Sequence, residues 1–136
     1  MMRFLVAAGL ILSALCLPAL CLAGLSAQEK AWIQKATTFE QDGWIYLYVT
    51  GKPFEIGFQN GYLLAKHIDE TIEIISYYLK HTTEKDWKFF RDAAEQMFWP
   101  KMEKQYQDEI KGIVAGMKKA GVQKYDEIDL TAYNGW

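Results

Sequence analysis

Hydrophobic positions change their period along the chain. Residues 37–50, TTFEQDGWIYLYVT, place a dense run of β-formers, Trp44 to Val49, behind Asp42-Gly43, a favoured two-residue turn. This predicts a β-hairpin. Few polar residues interrupt its second half, which predicts a strand covered on both faces or paired into a larger sheet. Thr50-Gly51-Lys52 then turns, Pro53 supplies the φ angle of a first helical residue, and Glu55 suits the positive end of a helix dipole. Leu64, Ile68, Ile72, Ile75 and Leu79 follow at spacings of four, four, three and four, predicting one helix from Pro53 to about Lys80. A second helix is expected over about 84–98, with Thr82 and Thr83 as caps and Trp87, Phe90, Ala94, Met97 and Phe98 inward. Pro100 ends or kinks it. A third presents Met102, Tyr106, Ile110, Ile113 and Met117 and stops near Ala120-Gly121. Asp126 caps a last short segment, EIDLTAYN. The expected class is α+β: a short hairpin followed mostly by helices.

Gly57 and Gly61 sit oddly in that scheme. Each costs a helix roughly 1 kcal/mol relative to alanine. With Ala65 they form a stripe of small residues four apart. Such a stripe admits either a ligand or another backbone at close range, and packing of helix on strand or helix on helix is the favoured reading. Gln59, between the glycines, is either a buried hydrogen-bonding anchor or exposed.

Composition divides the chain unequally. Residues 1–23 begin MMR, continue as an apolar run and end Cys21-Leu22-Ala23 behind Pro18. That is the layout of a secretory signal peptide cut after Ala23, so a secreted, periplasmic or lumenal location is expected. An uncleaved anchor is the alternative, since Phe4 to Ala23 is about long enough to span a bilayer. Both cysteines, Cys16 and Cys21, fall in this leader, so residues 24–136 contain no disulfide, thiolate ligand or cysteine nucleophile. Of 15 Lys+Arg, Arg3 falls in the leader, leaving 14 against 17 Asp+Glu and a net charge of −3. That balance offers no basic patch, and no nucleic-acid partner is expected. All five Trp lie beyond the leader, which favours a packed core over disorder.

Candidate chemistry is sparse. His67 and His81 lack metal-ligand spacing, and His67 with Asp69 or Glu70 reads as a solvated helix face. Asp69, Glu70 and Glu73 crowd one region, and a solvated face is again favoured over acid–base work. In KMEKQYQDEIK, spacings such as Glu103–Gln107 and Gln105–Glu109 read as surface. Ser76, Thr82 and Thr83 lack a nucleophile-elbow context. No catalytic residue, metal or cofactor is assigned.

One pattern adds to this reading. Gly51-x-Pro53-x-Glu55-x-Gly57-x-Gln59-x-Gly61 after an aromatic strand resembles the N-terminal part of the self-cleaving, isopenicillin N acyltransferase-like family of N-terminal-nucleophile hydrolases. The likeness continues through Trp99-Pro100-Lys101, Tyr106-x-x-Glu109-Ile110-x-Gly112-Ile113 and Asp126-Glu127-Ile128 to Asn134, covering about residues 44–134. GWIYLYVTGKPFEIGFQNGYLLAK is also similar, more distantly, to phospholipase B-like proteins. The resemblance implies an αββα sandwich whose precursor cuts itself before a cysteine that then acts as nucleophile on an acyl amide or ester. No cysteine follows residue 21. By this likeness, residues 24–136 correspond to the portion preceding the nucleophile, inactive alone, with most of the sheet supplied elsewhere. The implied partner is a catalytic β chain or a continuation of the same precursor, with a small acyl substrate only in the complete enzyme. Glu55, Gln59 and Asn134 are expected to support the site, and the glycine stripe to pack on the missing sheet. A membrane surface is a further candidate partner. The readings from other classes are a phospholipase B-like lipid hydrolase portion and a small secreted helical interaction module.

Overall fold

A computed structural model describes residues 24–135, and the leader read over residues 1–23 lies outside the described residues. The chain runs α1 (Ala27–Ile33), β1 (Thr37–Gln41), β2 (Trp44–Tyr48), α2 (Pro53–Leu63), α3 (Ala65–Thr83), α4 (Trp87–Ala93), α5 (Lys104–Lys119) and α6 (Glu127–Asn134). A π turn, Ala94–Phe98, and a 3-10 turn, Trp99–Lys101, join α4 to α5. It is mostly helical with one two-stranded antiparallel hairpin, an α+β arrangement in the coarse sense. Among the described residues no helix is long and apolar enough to cross a membrane.

The glycine stripe packs on α5, not on a sheet. A Cβ added to Gly57 would overlap the Glu109 carbonyl oxygen and lie 2.8 Å from its carbon, and one on Gly61 would overlap the Ile113 carbonyl, 2.7 Å from its carbon. The arrangement is reciprocal. Gly112 and Gly116 of α5 press on the α2 backbone, where added Cβ atoms would lie 2.8 Å from Phe58 N and 2.6 Å from Tyr62 N. Two glycine pairs, each four apart, thus let the helices cross backbone to backbone. The partner expected outside the chain is within it.

This crossing also explains why one predicted helix is two. At Leu64 the backbone leaves helical geometry (φ −109°, ψ 14°), ending α2 and starting α3. Ala65, Ile72, Ile110, Ile113, Val114, Met117 and Leu130 form one core cluster, while Leu25, Phe58 and Tyr62 form a second with Trp32 and Ile33 against it. A straight helix would have to serve both directions at once, and the bend separates them.

Other boundaries move for local reasons. Helix α3 runs on to Thr83, where the Thr82 and Thr83 hydroxyls donate back to the carbonyls of Tyr78 (2.8 Å) and Leu79 (2.7 Å) instead of capping the next helix. Asp86 rather than either threonine caps α4, accepting from Phe89 N at 3.1 Å. Of the residues expected inward beyond it, Ala94 is buried but Met97 and Phe98 are exposed. Tyr106 is likewise exposed rather than inward. Helix α1, absent from the hydrophobic pattern, starts with a capping box: Ser26 Oγ accepts from Glu29 N at 3.2 Å, and Glu29 accepts from Ser26 N at 2.6 Å.

The hairpin has the expected turn, with Asp42 at φ 53° and Gly43 at φ 80°. Register pairs Gln41 with Trp44, Phe39 with Tyr46 and Thr37 with Tyr48. One face therefore carries Phe39, Trp44, Tyr46 and Tyr48, with Phe39 and Tyr46 stacked at 4.9 Å. All four are exposed, Trp44 by 71%. The sequence pattern anticipated cover on both faces or pairing into a larger sheet; among the described residues the sheet has two strands and nothing covers this face.

Candidate functional site

Asn134, Glu109 and Tyr106 meet at one groove. With Met102, Ile110 and Ile113 they line an open cavity of about 350 Å³ between α5 and α6, within the usual size of small-molecule sites. Its walls are mainly apolar. The carboxamide of Asn134 donates Nδ2 to the Leu130 carbonyl at 2.7 Å, leaving its oxygen as an acceptor at the rim. Glu109 adds a half-buried carboxylate. Tyr106, Glu109, Ile110 and Ile113 follow one stripe of α5, so a single helix face builds most of the wall, and Met102 joins it from the turn before the helix.

Two polar clusters hold α6 in place. Its N-cap Asp126 accepts from Ile128 N and Asp129 N, and Asp129 accepts from Asp126 N at 2.9 Å. From α4, Arg91 forks onto both oxygens of Asp126 at 2.9 Å and pairs with Asp129. Trp87 Nε1 donates to Asp129 Oδ1 at 2.8 Å. Asp129 is buried, and these contacts satisfy it. On the other side Tyr125 donates to Asp69 of α3 at 2.8 Å, while Lys124 pairs with Asp69 at 2.7 Å and with Glu73. Glu70 pairs with Lys66. The carboxylates that crowded α3 in sequence are thus held by cations.

These contacts carry pH dependence. Arg91 pulls the Asp126 carboxyl down to about 2. A depressed carboxyl contributes stability above its ordinary value near 3.8 and loses it as pH falls toward 2. Burial, then donation to Asp69, pushes Tyr125 up to about 12, and its contribution fades as pH rises from 10 to 12. Urea midpoints should therefore fall along both limbs. Asp126→Asn, which keeps the cap, should flatten the acid limb only. Arg91→Met, stranding Asp129, should cost about 2 kcal/mol, a buried-pair loss discounted because the cluster is partly exposed. A urea titration that leaves the midpoint unchanged would contradict the role of this cluster in holding α6.

Gln59 and Glu55 stand apart from the groove. Gln59 is fully buried and engages one backbone unit twice: Thr50 N donates to Oε1 at 3.1 Å, and Nε2 donates to the Thr50 carbonyl at 2.8 Å. A two-residue turn makes Gln41/Trp44, Phe39/Tyr46 and Thr37/Tyr48 the pairs that exchange hydrogen bonds. Continuing that alternation turns Thr50 toward the β1 side. The Gln59 carboxamide therefore stands where the next residue of β1 would, splicing the hairpin to α2. Glu55 lies beside Gly51 and pairs loosely with Lys35 at 3.9 Å. Neither residue lines the cavity.

The sequence reading named Gly112 only within a motif and passed over Gly116, although their spacing repeats that of Gly57 and Gly61 and could have paired the two helices. Gln107, read as surface, instead donates to the Trp99 carbonyl at 2.9 Å and closes the turn before α5. No group of three or more His, Cys, Asp or Glu side chains among the described residues is placed to hold a metal ion. No family model, curated protein or solved structure matches this chain.

Proposed function

We propose that residues 24–136 form the N-terminal, non-nucleophilic portion of an exported N-terminal-nucleophile amidohydrolase or acyltransferase with an αββα sandwich. The observation that carries this reading is convergence. Tyr106, Glu109, Ile110, Ile113 and Asn134, which belong to the segments resembling that family, line one groove although they lie on two helices. An apolar wall suits an acyl chain, and the free Asn134 oxygen suits the N–H of an amide. A cysteine delivered by a catalytic chain would supply attack on the acyl carbon. Residues 24–136 would supply binding and orientation.

The hairpin supports the same reading. Its outer β2 edge turns the backbone of Ile45 and Leu47 outward, with no charge, proline or bulge on that strand to discourage pairing. Isolated two-stranded sheets are marginal in water, so further strands would complete it. A small secreted interaction module is the second reading, favoured by the same uncovered aromatic face. A phospholipase B-like activity would use the groove with an ester in place of the amide.

Expression of the whole coding frame separates these. The enzyme reading expects two chains by intact mass, the second beginning with cysteine, and hydrolysis of fluorogenic N-acyl amides. Asn134→Ala should raise KM about tenfold, the loss of one hydrogen bond to substrate. A single uncleaved chain with no hydrolysis of amides or esters overturns it in favour of the module.

A further inference from the structure

Glu109 differs from the other half-buried carboxylates of α1 to α5. Glu29 pairs with Lys119, Asp69 with Lys124 and Asp92 with Lys88, and Glu55 is loosely held by Lys35. The basic residues flanking Glu109 on its own helix are engaged elsewhere: Lys104 pairs with Asp108, and Lys111 lies over the Trp99 ring at 5.8 Å. Among the described residues no ion pair or side-chain hydrogen bond reaches the Glu109 carboxylate. It stands instead on the groove wall beside Met102, Ile110 and Ile113.

The remaining groups of that wall have the same electrostatic sign. Asn134 donates Nδ2 to the Leu130 carbonyl and leaves its oxygen to accept. It is also the last residue of α6, the end at which a helix dipole is negative and favours cations. Tyr106 adds an aromatic ring, whose face attracts cations as well.

We propose that the groove binds a small primary amine in its ammonium form, carried on an apolar alkyl or arylalkyl body. This stands on the groove alone and holds with or without a catalytic chain. An ammonium has three donors, enough for the Glu109 carboxylate, the Asn134 oxygen and water at the open mouth. Its hydrocarbon lies against Met102, Ile110 and Ile113, in a cavity whose volume of about 350 Å³ suits a small molecule. A guest carboxylate meets Glu109 as a like charge, and a neutral guest leaves Glu109 without a counter-charge. A bare metal ion fits poorly, since hard cations need six or more oxygens and the groove offers one carboxylate and one amide oxygen.

Backbone-amide NMR spectra of the full chain, titrated separately with phenylbutylammonium, phenylbutanol and phenylbutanoate, test this. Shifts should concentrate in α5 and the last turn of α6. The ammonium should bind about tenfold more tightly than the alcohol, a charge-assisted hydrogen bond against a neutral one, and the carboxylate most weakly. Added salt should narrow the gap between ammonium and alcohol. Glu109→Gln, which breaks no contact within the described residues, should bring the ammonium to the alcohol's affinity and leave the alcohol unchanged. Equal binding of ammonium and alcohol by the parent protein overturns the proposal, as does no binding or shifts centred elsewhere. An ammonium preference that survives Glu109→Gln overturns it too. None of these readouts depends on amide or ester hydrolysis, so the enzyme reading and this one fail separately.

Discussion

Gly61→Ala is expected to lower stability by about 3 kcal/mol, although alanine is the better helix former. In an uncrowded helix the same change would stabilise by roughly 1 kcal/mol, so the sign of the effect is itself the test. Position 61 has no room. Its Cβ would sit on the Ile113 carbonyl, a backbone group that cannot rotate aside as a side chain would. Relief requires α2 and α5 to move apart, which opens gaps beside Phe58, Ile113 and Met117, all buried. Gly57, Gly112 and Gly116 face backbone at similar range, so alanine at each should also destabilise. Double substitutions across the crossing should be less than additive, since one separation relieves both clashes. Thermal and urea unfolding report this directly, and an unchanged or raised midpoint for Gly61→Ala would refute the close crossing.

Gln59→Glu should cost about 3 kcal/mol at neutral pH, combining a lost hydrogen bond with a charge placed where no water reaches. The carboxylate would face the Thr50 carbonyl that Nε2 now serves at 2.8 Å. Protonation turns that repulsion into donation, so burial should raise the new carboxyl above its ordinary value. A raised value contributes stability at low pH and loses it as pH rises, so the variant should be closest to the parent near pH 4. Gln59→Met keeps the volume without the charge and should cost about 2 kcal/mol, independent of pH, since the Thr50 N–H and carbonyl both lose their partner. Amide exchange in β2 should accelerate in both variants, because the splice between hairpin and α2 is cut. Parent-like exchange there would show that the hairpin does not depend on Gln59.

How much of this was legible depended on the range of each interaction. The hairpin was plain because Asp42-Gly43 and the β-formers after it are local signals, and α6 was plain from its Asp126 cap. The capping box at Ser26 and Glu29 was equally local and marks α1, but no hydrophobic period follows it, and the periodic pattern passed over it. The bend at Leu64 was hidden because the apolar spacing runs through it unbroken. Only the crossing of α2 with α5, which joins residues some fifty apart, makes a straight helix untenable. Glu109 and Tyr106 were named in a motif while spacing assigned one to the surface and one to the core. The groove uses both, because a stripe at the margin of a buried face is neither. Asp126 read as a cap alone and Asp129 was not singled out, since their cation, Arg91, arrives from a separate helix.

The central claim is that residues 24–136 are a prefolded platform for a nucleophile carried elsewhere, and the coding sequence downstream of codon 136 tests it most directly. The account predicts that the frame continues, or that a neighbouring frame supplies the chain, with a cysteine at a self-cleavage point within about a domain's length, roughly 100–150 residues. A stop codon directly after Trp136, with no adjacent frame encoding such a chain, would contradict it.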